Sequence, residues 1–235
     1  MDTLSKIIFQ NKFPTAQTAF LAGSYARNQA TKYSDLDLVV IYEKLPNAYR
    51  ESFMFEGYPV EAFAHDAETL KYFFWEVDRP TGIPSLANMI KEGIEIPSPS
   101  ELSRKLKLMA DEVLDAGPPA LSQKETDHKR YFITDLVDDI REPRNKHELC
   151  ATGTQLYPLL ADFFFRAQGL WSAKGKAIPR VLEKTDADFS KKYIAAFDSL
   201  FREANPRSVI ELAEEILKPY GGFLFDGFRV DAKLH

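Results

Sequence analysis

The chain is short of cysteine, of excess positive charge and of long apolar runs, and each shortage removes a class of protein. One cysteine, Cys150, stands among 235 residues. No intramolecular disulfide can form, which fits a reducing compartment, and the thiol in "HELCATG" reads as a small apolar residue. His65, His128 and His235 lack the spacing of metal ligands. Lysine and arginine number 30 against 35 acids, for a net charge of -5 and a pI near 5.5. A protein that tracks a nucleic-acid backbone shows a basic stripe, so nucleic acid is not an expected partner. No stretch approaches about 18 consecutive apolar residues, so neither a transmembrane helix nor a membrane partner is expected. "MDTLSKIIFQNKF" lacks the apolar run and small-residue cleavage site of a signal peptide, and the expected location is cytoplasmic.

What is present is core material. Hydrophobic residues make up 45% and aromatics 13% of the chain, enough for one or two folded domains. The first hundred residues mix strand and helix patterns. "DTLSKIIFQNKF" predicts a helix, "TAFLAGS" a strand ending in a glycine turn, and "DLDLVVIYE" a strong strand. "YRESFMFEG" and "YPVEAFAHD" read as two extended segments joined at Gly57. "AETLKYFFWEVDR" and "SLANMIKEGIEI" carry helical periodicity. After the punctuated "IPSPSE" the pattern becomes helical, with about five amphipathic segments to the end. The expected fold is α+β: a mixed sheet flanked by helices over residues 1–98, then a helical bundle over 99–235. The terminal "GGFLFDGFRVDAKLH" is expected to dock, because Phe223, Phe225 and Phe228 are poorly suited to free solvent.

Two carboxylates interrupt the best strand. Residues i and i+2 of a strand share a face, so Asp35 and Asp37 project together while Leu36 and Leu38 face the other way. Carboxylates this close repel unless a cation or a shared proton intervenes. Hard oxygen ligands suit Mg²⁺, which takes one or two carboxylates together with phosphate oxygens. Upstream, Gly23 and Ser24 form a turn whose backbone N–H groups and hydroxyl can meet a phosphate. Arg27 is spaced to reach an anion, and Ser34 to bind phosphate or cap a turn. Glu61, flanked by Val60 and Ala62, is the candidate third acid, which would allow two ions. Antiparallel pairing with "DLDLVV" would bring it beside Asp37. Phosphate donors and metal acceptors in one segment suit transfer between phosphate oxygens.

"GSYARNQATKYSDLDLVV" resembles the signature of the polymerase-beta-like nucleotidyltransferase superfamily, a G-S turn ahead of a D-x-D strand. Glu61 matches the third acid, which is glutamate in kanamycin-type aminoglycoside nucleotidyltransferases. The resemblance implies Mg²⁺, two ions, held by Asp35, Asp37 and Glu61. It also implies that Gly23, Ser24, Arg27 and Ser34 position the triphosphate of ATP or another NTP. The transferred group is then a nucleoside monophosphate, AMP from ATP, and the acceptor a hydroxyl of a small cationic molecule such as an aminoglycoside, which would give antibiotic resistance. In that branch a helical domain follows and supplies a carboxylate base, and Asp138 matches its position. An antitoxin-like enzyme that modifies a partner protein, and a non-catalytic nucleotide-binding module, are the competing readings. A homodimer stays open.

Within the helical region, Asp135, Asp138 and Glu142 fall on one face of "YFITDLVDDIRE", where like charges cost stability unless used or solvated. "GLWSAKGKAIPR" holds Trp171, Lys174 and Lys176, read either as phosphate-reaching lysines or as a helix end whose basic residues complement the dipole.

Overall fold

The structure is a computed structural model that describes residues 2–231. It divides after Gly117 into two compact units.

The first unit runs α1 (Asp2–Lys12), β1 (Thr18–Leu21), α2 (Gly23–Ala26), β2 (Leu36–Ile41), β3 (Tyr49–Phe55), β4 (Tyr58–His65), α3 (Ala67–Tyr72), a π-helical turn (Phe73–Asp78), α4 (Arg79–Thr81), α5 (Ser85–Glu92), β5 (Ile94–Ile96) and α6 (Glu101–Ala116). The five strands form one sheet in the order β3-β4-β2-β1-β5. Strict alternation sorts its faces. Leu36, Leu38 and Val40 join Leu21, Val60 and Ala62 in a core with Ile8, Phe9 and Phe13 of α1 and the segment after it.

β2 and β4 pair parallel, not antiparallel as the sequence pattern suggested. The reason is the hairpin between them. Glu56 and Gly57 both take positive φ, which is the two-residue turn that matches strand twist, and β3 folds directly onto β4. Chain reversal at that turn sends β4 into the place beside β2, running in the same direction. The "SLANMIKEGIEI" segment also differs from a single helix. Gly93 ends α5 because its backbone passes so near Phe20 that a Cβ would lie 2.8 Å from that side chain's Cβ, and Ile94–Ile96 then pairs with β1. "IPSPSE" is a bend rather than a domain break. Ser100 and Ser103 form a reciprocal cap that starts α6, and Lys107 of α6 donates to the Gly93 carbonyl (2.9 Å). The division between units thus falls well beyond residue 98.

His65, at the end of β4, is buried, and its Nδ1 has no hydrogen-bond partner. Burial pushes its pKa down to about 4, against the opposing pull of Asp66. The folded state therefore disfavours the charged ring. This contribution is complete above the ordinary histidine range and fades as pH falls from about 6.5 toward 4, by roughly 2–3 kcal/mol in all. We expect His65→Leu to remove most of the difference between urea-unfolding free energies at pH 7 and pH 4.5. An unchanged difference would place the acid sensitivity elsewhere.

The second unit contains α7 (Gln123–Arg141), α8 (Lys146–Ala167), α9 (Ile178–Thr185), α10 (Ala187–Glu203) and α11 (Arg207–Leu217). Ile133, Val137 and Ile140 of α7 meet Leu156, Leu160 and Phe163 of α8, Tyr193 and Phe197 of α10, and Leu212 and Ile216 of α11. The segment after α11 docks on α7. Arg130, buried, donates from Nη2 to the Gly221 carbonyl, from Nε to that of Gly222 and from Nη1 to Asp127, all at 2.7–2.8 Å. The Leu224 amide donates to Thr134 Oγ1 (2.9 Å), and Phe228 stacks on Tyr131 at 3.9 Å. Phe225 remains 70% exposed, so docking covers only part of the aromatic set. Residues 232–235 of the docking segment lie outside those described.

Candidate active site

The parallel register places Asp37 directly opposite Glu61. Asp35 sits just before β2, two residues along on the same face. Asp35, Asp37 and Glu61 each offer an oxygen, and the three oxygens lie within 4.8 Å of one another. Among the described residues this is the one cluster of three or more possible metal ligands. All three side chains are half-buried, while Leu36 and Leu38 anchor the strand from beneath. Ligand oxygens around an octahedral Mg²⁺ stand about 3–4 Å apart. Small side-chain rotations close the observed spacing, and the all-oxygen donor set is the chemistry that ion prefers.

Gly23 follows β1 and opens the one-turn α2 with φ +65°. A Cβ at this position would lie 1.8 Å from Asp37 Oδ2. The glycine is therefore a requirement of the carboxylate's place: the backbone turn and Asp37 occupy adjoining space that no other residue permits. The Ala22 amide also donates to the Asp37 carbonyl (2.8 Å), so turn and strand are registered by backbone as well. Ser24 sits on this turn.

Two further candidates are engaged elsewhere. Arg27 Nη1 donates to Glu92 of α5 at 3.2 Å. Ser34 Oγ accepts from the Thr31 amide (2.9 Å), and its own amide donates to the Thr31 carbonyl (3.0 Å). Of its two proposed uses, closing a turn is the one seen. Asp138 lies on the exposed face of α7 in the second unit, paired with Arg141 at 3.0 Å. Lys174 and Lys176 are exposed; Lys174 precedes a 3-10 turn (Gly175–Ala177) that leads into α9, and Lys176 lies in that turn.

The sequence reading missed Arg50. It donates from Nη2 to Glu61, and Ser52 Oγ donates to the same carboxylate oxygen (3.4 Å). That hydrogen bond, with added attraction from Asp37 and Asp35, raises the hold of the guanidinium on its proton. Arg50 thus offsets part of the triad's mutual repulsion. A signal existed: a two-residue turn at Glu56 and Gly57 sets Ser52 opposite Glu61 and Arg50 on the diagonal, within reach of a long side chain.

Residues 5–78 match the family model described as nucleotidyltransferase domain. Among solved structures, the chain is similar to a nucleotidyltransferase-like protein from Exiguobacterium sibiricum 255-15, at 16% identity and a TM-score of 0.45, covering 93% of this chain and 75% of that one. No curated protein matches the chain. That family match spans less than half of the chain and takes in the Gly23 turn, Asp35, Asp37 and Glu61.

Proposed function

We propose that the protein is a Mg²⁺-dependent nucleotidyltransferase that moves a nucleoside monophosphate, AMP from ATP, onto a hydroxyl of a small cationic acceptor of the aminoglycoside kind. The observation that carries this reading is the set of three carboxylate oxygens within 4.8 Å beside the Gly23 turn. Asp35, Asp37 and Glu61 would hold the divalent ions. A bound ion there supplies positive charge for the departing pyrophosphate and eases ionisation of the acceptor hydroxyl. The Gly23–Ser24 turn orients the triphosphate through backbone N–H groups and the serine hydroxyl. Arg27 exchanges Glu92 for a phosphate oxygen. Asp138 would receive the acceptor's proton, a role that its exposed carboxylate suits. Acidic composition favours a cationic acceptor, and modification of such an antibiotic would confer resistance.

The test is an acceptor screen with labelled ATP, GTP, CTP and UTP and Mg²⁺, covering aminoglycosides, lincosamides and co-encoded proteins. Label from ATP on a small hydroxylated cation is expected. In that assay Asp138→Asn should slow transfer about 10²-fold while leaving nucleotide affinity within about twofold. Label on a protein instead would overturn the small acceptor. No label with any nucleotide would leave a nucleotide-binding module.

A further inference from the structure

The second unit holds a cavity of about 410 Å³ bounded by the start of α7, the end of α8 and the segment after α11. Arg166 of α8 lines it. This residue is only 6% exposed; its Nη2 donates to the Pro119 carbonyl (2.9 Å), and its Nε is buried with no partner. The contrast with Arg130 is direct, because each guanidinium nitrogen of that equally buried arginine is paired. A buried guanidinium short of hydrogen bonds and of a counter-charge is costly.

The two carboxylates that could neutralise Arg166 are committed elsewhere. Asp162, one helical turn before it, is bonded to Lys129 at 2.6 Å. Glu125 is folded back on the Ser122 hydroxyl (2.6 Å) and amide (2.8 Å) as half of the α7 capping box, and its attraction to Arg166 is a weaker, through-space one. Among the described residues no carboxylate lies within salt-bridge distance of Arg166. Gln123, whose Nε2 also donates to Asp127 (3.0 Å), and Thr126, in the first turn of the 19-residue α7, bring an amide and a hydroxyl to the same wall. Leu121, Ala167 and the Tyr220 ring supply apolar surface, with the Tyr220 hydroxyl already donating to the Ala167 carbonyl (3.0 Å). The space is one a small organic molecule fills, and its polar edge is cationic and donor-rich.

We propose that this cavity binds a small organic anion, a carboxylate or phosphate head on an apolar body, with the head on the Arg166 guanidinium and the body against Tyr220 and Leu121. The site is separate from the carboxylate triad and does not depend on the activity assigned to it. It would give the protein a second ligand of opposite charge to the cationic acceptor.

Phenyl phosphate, benzoate and neutral benzyl alcohol serve as probes, titrated into the full chain in EDTA, where the unneutralised triad repels anions. Calorimetry and the NMR signal of the Arg166 side-chain N–H report binding. Saturable binding of phenyl phosphate or benzoate with a shift of that signal is expected, with benzyl alcohol at least 10-fold weaker. The stronger anion separates the two head groups. Arg166→Gln should weaken anion binding about 10-fold or more. Should that variant not fold, Ala120→Trp, at an exposed rim position, should block the mouth and abolish binding. The proposal is overturned if neither anion saturates, if benzyl alcohol binds equally well, or if Ala120→Trp leaves anion binding intact.

Discussion

Asp37→Asn is expected to lower nucleotide-dependent pyrophosphate release by about 10³-fold while leaving the first unit folded and equally or more stable. The amide has nearly the same shape as the carboxylate, and contacts outside this side chain also hold the strand. Leu36 and Leu38 stay buried on the opposite face, and the Ala22 amide still donates to the backbone carbonyl of residue 37. What is lost is one of three anionic oxygens gathered within 4.8 Å. Without a cation those charges repel, so removing one relieves strain in the free protein even as it dismantles the ion site. A pyrophosphate-release assay paired with thermal melts separates the two effects. Mg²⁺ should raise the wild-type melting temperature by mass action, by about 1.4 kcal/mol of stability when the ion stands tenfold above its dissociation constant. The variant should show no such rise. Retained activity would sink the assignment of Asp37 as a ligand.

Gly23→Ala should cost about 10²-fold in activity, a loss far out of proportion to one methyl group. The added Cβ would sit 1.8 Å from Asp37 Oδ2 and 2.8 Å from Asp37 Cγ, at a backbone φ of +65°. Either the turn opens or the carboxylate swings away, and both break the juxtaposition of turn and carboxylate on which the proposed phosphate and ion contacts depend. Stability should fall by about 1–3 kcal/mol from strain in the left-handed region. Gly57→Ala provides the control. Its φ is +85°, yet nothing lies within 4 Å of the added atom. That variant should pay the conformational strain, about 1–2 kcal/mol, and keep its activity. Equal activity losses in the two would show that turn strain, not contact with Asp37, controls the site.

Much of the site was open to reading along the chain because its signals are local. Two acids spaced by two in an apolar strand must share a face, whatever the strand packs against. A glutamate between Val60 and Ala62 breaks the same rule in the same way. A glycine before a serine at a strand end marks a turn. None of these inferences needs a distant partner, and Asp35, Asp37, Glu61 and Gly23 do converge.

The α+β class, the acidic triad and the glycine turn follow from alternation along a strand and from residue chemistry, which are properties of neighbours in the chain. Which distant residues meet is a matter of packing. The direction of β4 against β2 depends on where a hairpin inserts, and Ile94–Ile96 becomes a strand because β1 has an open edge beside it. Arg50 reaches Glu61 across two strands, Arg27 finds Glu92 some 65 residues away, and α6 packs on α5 of the same unit. Arg166 has no mark in its own stretch. Its exceptional state arises because Lys129 and Ser122 claim the nearby carboxylates, which is a matter of competition in space.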